Sequence, residues 1–335
     1  MNAAVRHLNL VAWSNGVGLT RDLRLLEHGL RADGFDVSVS RIRRGKLHKW
    51  LRPAWQRLRY AARVLVGRGH EFDANLMLEH IREEDLPFAA CNLFVPNPEW
   101  CLPSDVALLD RVDGVLAKTR HAVQIFEARG CRADFIGFTS EDRSVPAVPR
   151  ERSFFHLAGR SRNKGTQALI GLWQRHPEWP RLVVLQSPLE ARPIEPPAAN
   201  IEHRIGYIDD VELLRLQNTH RFHLCPSETE GFGHYLVEAM SVGAVVIATD
   251  APPMNEMVQP DRGILVRPAR SSTQHLATTY FFDDAAMEAT IEQVLAMPEV
   301  ASAAIGDAAR AWFLANHADF PSRLRQVLDV YLPPR

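Results

Sequence analysis

Two carboxylates flank a glycine turn in SETEGFGHYLVEAMSVGAVVIATD, residues 227–250: Glu230 stands just before Gly-Phe-Gly and Glu238 a little after it. The apolar run RFHLC precedes the polar loop and reads as a strand, while HYLVEAM reads as a helix that starts at the loop. The backbone N–H groups of Gly231, Phe232 and Gly233 then lie at a helix N-terminus, lack helical carbonyl partners, and can serve hydroxyls or an anion. Carboxylates accept hydrogen bonds in pairs, so two of them at a fixed offset suit a polyol such as a ribose or a hexose. Acids at a helix start also complement its dipole. For the two glutamates alone both readings fit, and the glycines, Pro226 and Gly243 favour the ligand.

Such residues need a scaffold that gathers strand ends and helix starts. HLNLVAW, residues 7–13, reads as a buried strand, SNGVG as a loop, and Leu19, Leu23, Leu26 and Leu30 recur at helical spacing. Gly34 ends that helix and FDVSVSRI resumes as a strand, which makes a strand, helix, strand unit and implies a parallel sheet. The alternation continues through ANLMLEH, FAACNLFV, VDGVLAKT, a helix near residues 121–129, and RADFIGF. Residues 140–153, SEDRSVPAVPRERS, are rich in Pro and charge without periodicity and read as a linker. The pattern then restarts with SFFHLAG and runs through RLVVLQS, IEHRIGY, DDVELLRLQNT, RFHLC, AVVIATD and GILVRP to a mainly helical end. The fold class is therefore α/β, with two doubly wound Rossmann-like domains facing across a cleft. The expected bounds are 1–146 for the first domain, 147–315 for the second, and 316–335 for a C-terminal helix that returns to the first.

Composition fits this plan. The chain has 335 residues, of which 46% are hydrophobic and 24% charged, values of ordinary globular proteins that can fill two cores. Cys91, Cys101, Cys131 and Cys225 are scattered, with no C-x-x-C and no signal peptide, so free thiols in a reducing compartment are expected rather than zinc or disulfides. No run is long enough to span a membrane. The formal net charge is −1, yet residues 41–70 contain no Asp or Glu. This basic stretch, interleaved with Trp50, Leu51, Trp55, Leu58 and Tyr60, suits either an anionic membrane or acceptor, or a solvated helix that packs its aromatics on the core. No nucleic-acid module is present.

Read as a whole, PSETEGFGHYLVEAMSVGAVVIATD resembles the signature of the retaining family 4 glycosyltransferases of the GT-B fold, of the group 1 type. AGRSRNKGT, residues 158–166, is similar to that family's glycine, arginine, lysine, glycine element after the first strand of the second domain. RIGYIDDVELLRLQ resembles the segment beside the nucleobase, and SNGVG falls where the family keeps a glycine loop. The likeness is strongest over residues 154–268.

The resemblance implies that Glu238 holds the donor ribose and that Glu230, with the N–H groups of Gly231, Phe232 and Gly233, holds the donor sugar. Arg160 and Lys164 would hold the diphosphate; as the glycosidic bond breaks, that leaving group gains negative charge that fixed cations stabilise. Gly206 and Tyr207 would lie beside the base, while Gly16 and Gly18 would let the first domain approach the phosphates. Where the family often carries a His, this chain has LFVPNPEW, so Asn97, Glu99 and the nearby His80 become candidates for contact with the sugar or the acceptor.

The implied activity is retaining hexosyl transfer from a UDP or GDP sugar to a hydroxyl of a glycan, a lipid-linked glycan or a small molecule. No further cofactor is expected. No D-x-D motif is present to hold a metal under the diphosphate, and Arg160 and Lys164 supply the charge instead. The expected location is cytoplasmic, with peripheral contact to an anionic membrane as an added feature. A GT-B protein that binds a nucleotide sugar without transferring it is the alternative. A glycoside hydrolase would not require Arg160 and Lys164, and an NAD-dependent oxidoreductase would show G-x-G-x-x-G where SNGVGLT stands.

Overall fold

A computed structural model of the chain describes residues 5–13, 18–42 and 46–332, with backbone alone for 18 and 46–50. The chain divides into two compact units, Met1–Phe138 with Ala318–Arg335, and Thr139–His317.

The first unit runs β1 (His7–Trp13), α1 (Gly18–Ala32), β2 (Asp36–Ile42), α2 (Lys46–Leu65), β3 (Phe72–Leu78), β4 (Ala89–Val95), α3 (Pro103–Val106), β5 (Gly114–Ala117), α4 (Arg120–Glu127) and β6 (Ala133–Phe135). Its strands are parallel in the order β2-β1-β3-β4-β5-β6. Both faces of such a sheet are covered, which is why residues 8–12 of β1, Leu8, Asn9, Leu10, Val11 and Ala12, form an unbroken buried run. The leucines at 19, 23, 26 and 30 are the buried stripe of α1.

The second unit runs β7 (Glu151–Gly159), α5 (Thr166–Arg175), β8 (Leu182–Gln186), β9 (Ile201–Ile205), α6 (Asp210–Thr219), β10 (His220–Cys225), α7 (His234–Ser241), β11 (Val245–Thr249), α8 (Met254–Met257), β12 (Ile264–Val266), β13 (Pro268–Gln274), β14 (Ala277–Phe282), α9 (Asp284–Ala296) and α10 (Glu299–Tyr331). Six parallel strands lie in the order β12-β11-β10-β7-β8-β9. The order reverses between β7 and β10, and a doubly wound sheet opens its ligand crevice at that point, outside the carboxyl ends of the strands. The core under this edge is aromatic: Phe154 stacks on Phe222 at 5.1 Å and meets Trp173 edge-on at the same distance.

Three features differ from the expectations of the sequence. Residues 140–153 are not a free linker, because the Arg143 N–H bonds to Ser241 Oγ at 3.0 Å and the Val145 N–H to Asn218 Oδ1 at 2.8 Å. The division between units falls instead after Phe138. Residues 268–282, where periodicity offered no element, form the antiparallel hairpin β13-β14; the run ATTYFF carries the β-branched and aromatic residues that favour a strand. Third, the C-terminal helix is not a separate element starting at residue 316: α10 begins at Glu299 and runs on through Pro321 into the first unit, where Phe320 lies edge-on to Phe138 at 5.1 Å and the Tyr331 hydroxyl donates to Asp134 Oδ2 at 2.5 Å. All four cysteines are free.

Buried histidines give the second unit a defined acid response. Burial holds His156 and His220 down to about 4 and His223 to about 3, so all three are neutral in the folded chain at pH 7. Below about pH 6.5 the unfolded chain binds protons that the folded chain refuses, so folded stability falls as pH falls. Each group contributes up to about 1.4 kcal/mol per pH unit within that window, before most carboxylates titrate. Urea unfolding of the second unit is therefore expected to shift to lower urea between pH 7 and pH 5; an unchanged midpoint would contradict the buried neutral state.

Candidate functional site

The loops after β7 and β10 converge at the reversal of the second sheet, because those strands are neighbours. Lys164 comes from the first loop and Glu230 from the second, and the Lys164 ammonium donates directly to Glu230 Oε1. Their side chains are 12% and 14% exposed. The ammonium also lies 3.5 Å from the centre of the Tyr235 ring, a cation–π contact that offsets part of its desolvation. The Ser227 hydroxyl serves the same carboxylate oxygen and lies 2.5 Å from the Tyr235 hydroxyl. Burial, with the negative field of Glu230, pushes Tyr235 well above its ordinary range, so it stays a neutral phenol.

Two glycines permit this approach. Gly165 has φ of 64°, and a Cβ there would stand 2.8 Å from the Pro226 carbonyl oxygen, so only glycine lets the lysine loop lie against the glutamate loop. Gly233 has φ of 96° and begins α7; a Cβ would meet Leu236 Cδ1 at 2.6 Å. Backbone bonds reinforce the junction, with the Glu228 N–H donating to the Asn163 carbonyl at 2.9 Å. The hairpin staples both loops from outside: Asn163 Nδ2 donates to Gln274 Oε1 at 2.9 Å and the Tyr280 N–H to the Glu228 carbonyl at 2.7 Å.

Glu238 lies on α7 at 1% exposure, and its Oε2 accepts from Gln217 Nε2 at 3.1 Å. Gln217 Oε1 in turn accepts from Arg143 Nε at 3.0 Å, and Arg143 pairs with Asp210 at 2.7 Å. Burial works against the Arg143 guanidinium, but Asp210 and the Glu238 field leave it raised, so Arg143 stays charged. Burial also pushes the Cys225 thiol up, and Lys164, Glu230 and Glu238 all act on it, which gathers the three charges around the end of β10.

The other expected residues are placed as follows. Arg160 follows β7 directly, is exposed, and has no partner among the described residues. Gly231 and Phe232 are buried, with the Phe232 ring edge-on to His234 at 5.4 Å. Gly206 and Tyr207 follow β9 on the same sheet edge; Gly206 is anchored by its N–H to the Gln186 carbonyl at 3.0 Å, and Tyr207 is 94% exposed.

In the first unit, Gly18 begins α1 and Gly16 lies outside the described residues. His80, Asn97 and Glu99 follow the carboxyl ends of β3 and β4. His80 Nδ1 is 2.9 Å from Asp105 Oδ2, and Asn97 Oδ1 accepts from Lys118 Nζ at 2.5 Å. Lys118 is buried and paired with Asp22 at 2.7 Å. Beside them Glu79 adopts a left-handed φ of 67°, and burial raises its carboxyl. Ser227, Tyr235, Gln217, Arg143, Lys118 and Asp22 were not expected as site residues. For Gln217 no signal existed in the sequence: that Gln217, Asn218 and Thr219 end α6 buried is visible only in the fold. For the lysine and aspartate none existed either, because they lie 96 residues apart.

Residues 148–310 match the family model of the glycosyl transferases group 1. This part of the chain is similar to a group 1 glycosyltransferase domain. The fold of the entire chain is similar to that of sucrose-phosphate synthase from Thermosynechococcus elongatus, with TM-score 0.71, 16% identity, and 97% of this chain and 98% of the other covered. It is similar to a glycosyltransferase from Rickettsia africae, with TM-score 0.72, 13% identity, and coverage of 99% and 100%. It is similar too to Anabaena HepE in complex with UDP and glucose, with TM-score 0.66, 14% identity, and coverage of 97% and 100%. No curated protein sequence matches the chain. These likenesses establish the GT-B fold, two Rossmann-like α/β units in one chain. Among the described residues of the two units, no cluster of three His, Cys, Asp or Glu side chains is arranged for a metal ion.

The two cations of the second unit should respond differently to truncation without ligand. Arg160→Ala removes an exposed, unpaired side chain and is expected to leave the thermal midpoint unchanged. Lys164→Ala strands a largely buried carboxylate and should cost about 1–3 kcal/mol. Equal destabilisation by both, read by thermal and urea unfolding, would contradict the pairing.

Proposed function

We propose that the chain transfers a hexose from a nucleotide diphosphate sugar, of UDP or GDP type, to an acceptor hydroxyl with retention at the anomeric carbon, in the manner of family 4. The observation that carries this reading is the meeting of Lys164 and Glu230 at the sheet reversal of a unit similar to the group 1 glycosyltransferases, beside the start of α7. The fold shared with HepE, solved with UDP and glucose, supports a nucleotide-sugar donor.

In this reading the donor exchanges one ion pair for two useful contacts. Its diphosphate takes over the Lys164 ammonium, and the released Glu230 carboxylate accepts hydroxyls of the donor sugar. Glu238, held by Gln217, accepts from the ribose, and Gly206 and Tyr207 flank the base. The anomeric carbon–oxygen bond to the phosphate then breaks, and Lys164 and Arg160 stabilise the growing charge of the diphosphate. The acceptor oxygen bonds to that carbon on the same face while its proton passes to the departing phosphate oxygen. Charge neutralisation rests on these side chains rather than on a metal ion. The acceptor, a glycan, a lipid-linked glycan or a small molecule, is assigned to the first unit, with His80, Asn97 and Glu99 as its contacts.

The test is nucleotide release from a panel of UDP, GDP and ADP sugars with hydroxyl acceptors. One donor should be consumed, its product should keep the anomeric configuration, and turnover should persist in excess chelator. Arg160→Ala and Lys164→Ala should each lower turnover by roughly tenfold to a thousandfold, the range for loss of one fixed charge contact to a leaving group. Full activity of both variants would refute the diphosphate assignment, and loss in chelator restored by magnesium would refute the metal-free one.

A further inference from the structure

Helix α2 is amphipathic in the reverse of the usual sense. Arg52, Gln56, Arg59 and Arg63 share one face and dock it on the first unit. Arg52 pairs with Glu84 and, at 2.6 Å, with Asp85; Gln56 Nε2 donates to Asp85 Oδ1 at 2.7 Å; Arg59 and Arg63 both reach Glu71, the second at 3.4 Å. An adjoining face carries Leu51, Trp55, Leu58 and Leu65, exposed by 45%, 60%, 69% and 86%, with Val64 and Val66 beside them and the Arg59 guanidinium 5.8 Å from the centre of the Trp55 ring. A helix on a globular unit turns its apolar stripe inward. Here Trp55 does not pack on the core as one reading of the sequence expected, while Tyr60 lies edge-on to Phe88 at 5.8 Å. A contiguous exposed apolar face of this kind marks an interaction surface.

The charge around that face selects its occupant. Residues 41–70 hold ten Lys and Arg and no acid, and the neighbouring acids Glu71, Glu84 and Asp85 are engaged by the inward arginines. Arg57 and Arg68 are exposed beside the apolar stripe. A second copy would set like charge against like across the contact, which opposes pairing. No helix among the described residues is long and apolar enough to cross a membrane. A helix with Trp and Leu on one side and basic residues at its flanks lies in the plane of a bilayer interface, its apolar side at the acyl boundary. We propose that α2 docks the first unit on an anionic lipid surface, with Trp55, Leu58 and Leu65 inserted and Arg57 and Arg68 at the head groups. This goes beyond the transfer reading and does not rest on it, since lipid binding is read without donor or acceptor.

The experiment is sedimentation of the purified full chain with vesicles of phosphatidylcholine, alone or mixed with phosphatidylglycerol, at about 0.1 M salt, where the Debye length is about 10 Å. Partition to the anionic vesicles should be at least about tenfold stronger, since each cation near the surface adds about fivefold. Trp55→Ser with Leu58→Ser should lower it by about tenfold or more. Arg57→Gln with Arg68→Gln should lower it by about fivefold for each charge and weaken its salt dependence. These sites are exposed, so thermal midpoints should be retained, and the comparison of the two vesicles needs no variant. Equal partition of the wild-type chain to both vesicles, binding to neither, or undiminished binding by the Trp55 and Leu58 variant overturns the proposal. So does a dimer in lipid-free sedimentation that this variant converts to a monomer, because the face then belongs to a second copy.

Discussion

The candidate site depends on one constraint: an ammonium and a carboxylate, both largely out of water, must meet between two loops that are far apart in sequence. Desolvating either charge alone is costly, and their attraction repays it only when the geometry is tight and the remaining lone pairs are used. The surroundings of Lys164 and Glu230 meet that condition. Ser227 serves the carboxylate, the Tyr235 ring faces the ammonium, and Gly165 removes the Cβ that would hold the two loops apart. A pair assembled this way is preorganised, and in the proposed reading each half would exchange its partner for a different part of the donor.

The rest of the second unit maintains that junction. The parallel pairing of β7 with β10 brings the loops side by side, and the aromatic stack of Phe154 on Phe222 fixes the two strands beneath them. The β13-β14 hairpin ties Asn163 and Glu228 from outside the sheet, so the loops are restrained on two sides. Glu238 belongs to a second, deeper network through Gln217 and Arg143 that does not draw on Lys164. Two carboxylates eight positions apart thus belong to separate polar networks.

The first unit handles charge differently. Its sheet edge buries Lys118 against Asp22 and Asn97, while α2 spends its arginines on Glu71, Glu84 and Asp85 and leaves its apolar residues outside. Inward ion pairs hold that helix without consuming its hydrophobic face. The same sequence would read as an ordinary amphipathic helix if its orientation were unknown.

The sequence by itself determined the α/β class, the alternation that builds two parallel sheets, the leucine stripe of α1, and the glycine turn with its two glutamates. Each of these is a local or periodic signal: apolar runs, helical spacing, or residues adjacent along the chain. Only the tertiary structure decided that Lys164 bonds to Glu230 rather than standing free, because the contact depends on which strands are neighbours. It also decided that residues 140–145 are tied to α6 and α7, that ATTYFF pairs back on PARSSTQ, and that α2 turns its charges inward. In the last case the pattern shows that a helix has two faces, and only the acids brought near by folding determine which of them faces in.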